Sequence, residues 1–178
     1  MKNIVQEYTK ALDELTAIAA QLKEEELETL ARKIIEAKHV FFTAQGRSGN
    51  MARALAIRFM HMGIAAYVAG EPSTPAMGQG DLLIAVSGSG KTTITLNHLQ
   101  TAKKVGAMSA LICTKTENPM FSDCYVCIPA KSVVPSVQHA GSLFEQSVLL
   151  VGDAVSRAVQ DALGVSSESM DARHANLQ

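Results

Sequence analysis

Six consecutive residues, Ser87-Gly88-Ser89-Gly90-Lys91-Thr92, have the types and spacing to hold an anion. They follow the apolar run Leu82-Leu83-Ile84-Ala85-Val86 and lead into a segment of helical periodicity, Thr92 to Val105. Glycines let the backbone curl so that successive N–H groups converge, a helix N-terminus adds partial positive charge, and Ser87, Ser89 and Thr92 add hydroxyl donors. A phosphate dianion asks for these features. A plain βα turn capped by Ser or Thr would use one hydroxyl, so three hydroxyls around Gly88 and Gly90 favour anion binding. Gly90-Lys91-Thr92 also fits the end of G-x-x-x-x-G-K-[ST], but the first position of that pattern is Ala85, which with Val86 still belongs to the strand. No later apolar strand ends in a magnesium-binding Asp, so nucleotide hydrolysis is the weaker reading.

Ala44-Gln45-Gly46-Arg47-Ser48-Gly49 is a second glycine turn between a strand and a helix. Its dinucleotide signal is weak, because Ala44 replaces the first glycine and no acidic residue closes a second strand about twenty residues on. Arg47 and Ser48 bring a cation and a hydroxyl to a strand's carboxyl end. Farther on, Glu145 shares a helical face with Val148, Leu149 and Gly152. A carboxylate on an apolar stripe is either paired with a structural cation or used chemically. His61 closes a helix, where it either satisfies terminal carbonyls or moves protons. His39, His98 and His139 read as structural or exposed.

The elements that position these residues follow from hydrophobic period. Strands are predicted at His39–Thr43, Ala65–Ala69, Leu82–Ser87, Met108–Cys113 and Tyr125–Ile128, and helices at Ser48–Met62, Thr92–Val105 and His139–Leu163. That alternation signals βαβ units and a mostly parallel sheet covered on both faces, with ligands at the strands' carboxyl ends. Before it come helices at Ile4–Leu22 and Glu24–Ala37. Val5, Tyr8, Leu12, Leu15, Ala19 and Leu22 form a heptad-like seam that needs a partner, either the second helix or another subunit. The chain is thus expected to be one domain: a helical extension over 1–37, an α/β core over 38–164 and a polar tail over 165–178 that frays or docks.

The totals exclude several classes. At 178 residues and 47% hydrophobic, the chain suits one buried core. Sixteen basic and seventeen acidic residues give a charge of −1 without a basic block, against a nucleic-acid partner. No apolar run reaches the ~18 residues of a membrane span and no leader pattern opens the chain, so a cytoplasmic protein with no membrane partner is expected. Cys113, Cys124 and Cys127 read as reduced, buried thiols. Cys124 and Cys127 stand three apart in a strand and point to opposite faces, which disfavours a shared metal.

These motifs together resemble the sugar isomerase (SIS) family, and within it the 6-phospho-3-hexuloisomerases. The resemblance is carried by Gln45-Gly46-Arg47-Ser48-Gly49, Arg58 to Gly63, Gly70-Glu71 with Thr74-Pro75-Ala76, Gly80 to Ile84, Ser87 to Gly90, Gly141-Ser142-Leu143-Phe144-Glu145-Gln146 and Arg173-His174-Ala175-Asn176-Leu177. It runs over nearly the full length, the Leu-Phe-Glu-Gln segment and the Arg-His-Ala-Asn tail being the most specific parts. It implies a Rossmann-like three-layer αβα sandwich with a five-stranded parallel sheet, in a homotetramer with active sites near subunit contacts. The implied reaction interconverts D-arabino-hex-3-ulose 6-phosphate and D-fructose 6-phosphate, in formaldehyde fixation through ribulose monophosphate, with no metal or organic cofactor. Two departures are Ala44 for the usual first glycine and Lys91 where many relatives carry Glu.

Moving a carbonyl between C3 and C2 needs a base that removes a carbon-bound proton, a donor for the enediolate oxygen, and return of the proton to the neighbouring carbon. Glu145, matched to the family motif, is assigned as the base, a role that partial burial would favour by raising its basicity. His61 and His174 are further catalytic candidates, the first for proton shuttling or ring opening and the second to complete a site, on a neighbouring subunit if the tail reaches one. Arg47, Ser48, Ser87, Gly88, Ser89 and Thr92 are assigned to the phosphorylated substrate, with Arg47 alternatively polarising the sugar oxygens. An aldose–ketose isomerase of the same fold and a non-catalytic sugar-phosphate sensor are the competing readings.

Overall fold

Five short apolar runs pair as a parallel sheet in a computed structural model that describes residues 3–115, 117–118 and 122–177. They are β1 (Val40–Thr43), β2 (Ala66–Val68), β3 (Leu82–Val86), β4 (Met108–Cys113) and β5 (Cys124–Cys127). The order is β2-β1-β3-β4-β5, with Val40 opposite both Ala66 and Leu82, Leu82 opposite Met108, and Ala110 opposite Cys124. The helices are α1 (Ile4–Ala19), α2 (Glu24–Glu36), α3 (Gly46–His61), α4 (Thr93–Lys104), α5 (Ser142–Leu163) and α6 (Ser167–Asp171). This is the expected α/β sandwich.

Strand periodicity divides the core in two. Val40, Phe42, Leu82, Ile84, Val86, Ala110, Ile112 and Val126 face the larger layer, built with residues of α1, α2, α3 and α5. Phe41, Leu83, Ala85 and Leu111 face the smaller one, closed by Leu99 and Ala102 of α4. Phe42 stacks on Phe59 at 5.8 Å between ring centroids, which seats α3 on β1. The central strands are buried on both faces, which is why they read as unbroken apolar runs. Among the described residues no helix is long and apolar enough to cross a membrane. All three cysteines are buried and free.

Most boundaries fall within two residues of expectation, and three differences matter. α5 begins at Ser142 rather than His139, because Ala140 takes a left-handed φ of +47° and Gly141 caps the helix. α1 ends at Ala19, short of Leu22, and packs on α5 instead of lying along α2 as a hairpin. Only the end of the seam is covered: Ile18 is buried and Leu15 and Leu22 pack on the core, whereas Val5, Tyr8 and Leu12 are exposed. The tail docks through α6, which packs on α3.

Candidate active site at the carboxyl end of the sheet

Strand order reverses between β1 and β3, so the loops leaving their carboxyl ends diverge and open a crevice. The first turns of α3 and α5 and the loop after β3 meet there. They enclose a cavity of about 260 Å³ whose walls include Ser48, Gly88, Ser89, Thr114, Lys131 and Glu145.

The loop after β3 is a tight turn closed by the Gly90 N–H, which donates to the Ser87 carbonyl at 3.0 Å. Gly90 takes φ +62°, and the Lys91 N–H donates to Ser89 Oγ at 3.1 Å. Ser87 Oγ and Thr92 Oγ1 lie 3.0 Å apart, so Thr92 spends its hydroxyl on Ser87 and leaves the first turn of α4 without a side-chain cap. Uncapped amides at a helix N-terminus are the partners an anion would use. Thr114 donates to the Gly88 carbonyl through its hydroxyl at 2.7 Å and its N–H at 3.2 Å, tying the loop to the end of β4. A Cβ on Gly88 would stand 3.2 Å from Phe144 Cδ1, so the absence of a side chain lets the loop rest on the first turn of α5.

Glu145 stands in that turn, its side chain 13% exposed. Arg47, from the first turn of α3, brings Nε to 2.9 Å from Glu145 Oε2 and donates through Nη1 to Ser142 Oγ at 3.1 Å. The Arg47–Glu145 contact is a close ion pair, and the buried Oε2 receives no aligned hydrogen bond. A Cβ on Gly141 would come within 3.3 Å of Oε1, so a side chain there would crowd the carboxylate. A carboxylate beside a guanidinium, at a helix N-terminus and on a cavity edge, can accept a proton and have a developing oxyanion neutralised nearby.

Of the residues assigned from sequence, Ser48, Gly88, Ser89 and Glu145 line one cavity and Arg47 contacts Glu145. Ser87 is buried and, with Thr92, supports the loop without lining the cavity. Thr114 and Lys131 were not anticipated. Thr114 follows a strand's carboxyl end, a place that flags it, whereas Lys131 sits in a loop at φ +60° with no local signal.

His61 and His174 meet each other elsewhere. Their rings stack at 4.8 Å and 24°, beside a cavity of about 350 Å³ also lined by Arg58, Asp153 and Asp171. Fourteen residues of α3 separate His61 from Arg47, about 21 Å of axis, so within one chain this pair does not reach Glu145. Arg173 holds the tail by lying over Gly63, 3.0 Å from where a Cβ would be, and by donating to the Ser169 carbonyl at 2.9 Å and the His61 carbonyl at 3.4 Å.

Burial, then the charges of His174 and Arg58, hold the His61 imidazole below its ordinary value, against a smaller opposing pull from Asp171. A base depressed in the folded state binds fewer protons than in the unfolded one, so the stability it contributes is present above ~6.5 and falls as pH drops toward the depressed value. Amides of 166–177 are therefore expected to exchange faster at pH 5 than at pH 7, after correction for intrinsic rates. Equal protection at both would contradict this.

The chain is similar to known proteins in sequence and fold. Residues 33–150 match the SIS domain. The chain is 40% identical over 173 residues to the 3-hexulose-6-phosphate isomerase of Mycobacterium gastri, covering 93% of this chain and 87% of that protein. It is 37% identical over 178 residues to the 3-hexulose-6-phosphate isomerase of Bacillus subtilis, covering 94% and 95%. The crystal structure of a Methanococcus jannaschii protein, from which a 3-hexulose-6-phosphate isomerase function was inferred, superposes with a TM-score of 0.86 at 29% identity, over 97% of this chain and 99% of that one.

Proposed function

The chain belongs to the SIS domain family, and on that premise we infer that it is an enzyme isomerising 3-hexulose 6-phosphate and fructose 6-phosphate. The observation that carries the chemistry is Glu145, a largely buried carboxylate on the cavity that also presents the Ser-Gly-Ser-Gly loop. In this reading the substrate phosphate sits on the amides of Gly88 and Ser89 and the first turn of α4, while the Gly90 N–H is held by the Ser87 carbonyl at 3.0 Å. Glu145 removes the proton from C3 of the open-chain ketose, whose acidity comes from the C2 carbonyl, the O3 hydroxyl proton passes to O2 in the enediolate, and Glu145 delivers a proton to C2. Arg47, already beside that carboxylate, neutralises charge that develops on the sugar oxygens.

The distance between Glu145 and His61 leads to a subunit-level reading. We assign the His61–His174 pair to a neighbouring copy's cavity, where an imidazole would help open the furanose ring that hides the carbonyl. The exposed apolar face of α1, with Ile4, Val5, Tyr8 and Leu12, supports a homo-oligomer, for which we propose a tetramer. The reaction then belongs to formaldehyde assimilation through ribulose monophosphate, in the cytoplasm, where free thiols such as these persist.

Heavy water tests the reaction directly. With fructose 6-phosphate as substrate, deuterium is expected at C3 of the recovered sugar. Incorporation at C1 would point instead to an aldose–ketose isomerase. Folded protein that labels neither carbon would refute enzymatic isomerisation and leave the sensor reading.

A further inference from the structure

Residues 128–141 connect β5 to α5 and supply one wall of the site, through Ala130, Lys131, Ala140 and Gly141. Two of these are strained: Lys131 at φ +60° and Ala140 at φ +47° occupy the left-handed region without being glycine. Such conformations persist only where surroundings enforce them. Inside the loop, the Lys131 N–H donates to the Val134 carbonyl at 2.7 Å and Lys131 Nζ to the Gln138 carbonyl at 2.9 Å. The loop's outer side is held by a residue far away in sequence. Glu14 of α1 accepts from Ser136 Oγ at 2.7 Å, the Val137 N–H at 2.8 Å and Gln138 Nε2 at 2.8 Å.

We propose that Glu14 is a positioning residue: its carboxylate clamps residues 136–138 and so fixes Lys131 and the turn before Glu145 in the geometry the isomerisation needs. None of its three hydrogen-bond partners lines the cavity, so the carboxylate acts through the loop. Three donors converge on two oxygens, the pattern of an anchor made to hold one conformation. The ionised state matches that role. Burial alone would raise the Glu14 carboxyl, but the donors of Gln138, Val137 and Ser136 and the charge of Lys131 together outweigh it and hold it below the ordinary value. Because Lys131 lines the cavity, its displacement weakens substrate capture more than it slows the proton transfer at Glu145. The clamp also makes α1 part of the site, giving the N-terminal helix a task besides packing.

The proposal rests on the isomerase reading for its kinetic consequence, and two measurements keep the two apart. Backbone amide exchange is followed in the wild type and in Glu14→Ala and Glu14→Gln, without substrate. Amides of 131–141 are expected to exchange at least about tenfold faster in both variants, while those of β3 and β4 keep wild-type protection. Unchanged loop exchange, or equal acceleration throughout the chain, overturns the clamp whatever the substrate is. In the second measurement, on wild type first shown to label C3, KM for fructose 6-phosphate is expected to rise on the order of 10- to 100-fold with kcat changed much less. A KM within twofold of wild type, or a loss confined to kcat, overturns the positioning role. Wild type that labels nothing refutes the isomerase reading, and the amide exchange still decides whether the clamp exists.

Discussion

Replacing Glu145 with Gln is expected to lower turnover by about a thousandfold or more while fructose 6-phosphate still binds. The substitution keeps the shape of the side chain and its place above Gly141, and removes the group that accepts the proton. General base catalysis is typically worth about 10²- to 10⁴-fold, and here no second carboxylate lines the cavity among the described residues to take over. Binding persists because the phosphate loop and the α4 N-terminus are untouched, and because the Arg47 guanidinium, freed from its ion pair, offers the substrate an additional cation. Calorimetry with the sugar phosphate and the rate of C3 deuterium exchange measure the two halves separately. Turnover within tenfold of wild type would remove Glu145 from its role as base.

The largest effect on stability is expected at Gly152, where α5 crosses α3. A Cβ at that position would lie 2.3 Å from Leu55 Cδ2 and 2.5 Å from Cδ1, and Leu55 is itself 2% exposed, with little room to withdraw. Gly152→Val is therefore expected to destabilise the protein by about 2–3 kcal/mol, through forced separation of the helices. In a chain of this size that is a fall of roughly 5–10 °C in Tm. Gly152→Ala should lose less, since Ala recovers about 1 kcal/mol of helix propensity. A Tm for the valine variant within about 2 °C of wild type would mean that Leu55 repacks. The contact bears on function as well, because α3 carries Arg47 and α5 carries Glu145, and their spacing sets the ion pair.

What could be read from sequence was what is encoded locally. The Ser-Gly-Ser-Gly loop follows an apolar strand and precedes a helix, so a few adjacent residues suffice to recognise it. The alternation of runs Leu82–Val86 and Met108–Cys113 with amphipathic segments likewise shows a parallel sheet, because burial on both faces leaves strands uniformly apolar. Long-range choices were less visible. The seam on α1 announces that it needs cover, but hydrophobicity does not name the covering element, and α1 packs on α5. His61 and Glu145 each have the chemistry of an active group, yet about 21 Å of α3 axis lies between His61 and Arg47, the ion-pair partner of Glu145, a consequence of helical rise and not of residue type. Lys131 was invisible because its position depends on a left-handed backbone and a hydrogen bond from its own side chain to Gln138. The start of α5 is hidden in the sequence for a related reason, since the turn at Ala140 interrupts a pattern that otherwise reads as continuous helix.

The three unpaired sulfurs have a consequence for chemical wear. Open-chain sugar phosphates are electrophiles, and a thiolate exposed to them accumulates covalent adducts. Burial, reinforced by the nearby charge of Glu26, pushes the Cys124 thiol up to about 11 and raises Cys127 in the same direction. At neutral pH such groups are almost wholly protonated, and the thiol is a far poorer nucleophile than the thiolate. Packing that serves the sheet thus also passivates these two thiols, keeping them protonated and poorly reactive toward carbonyl compounds.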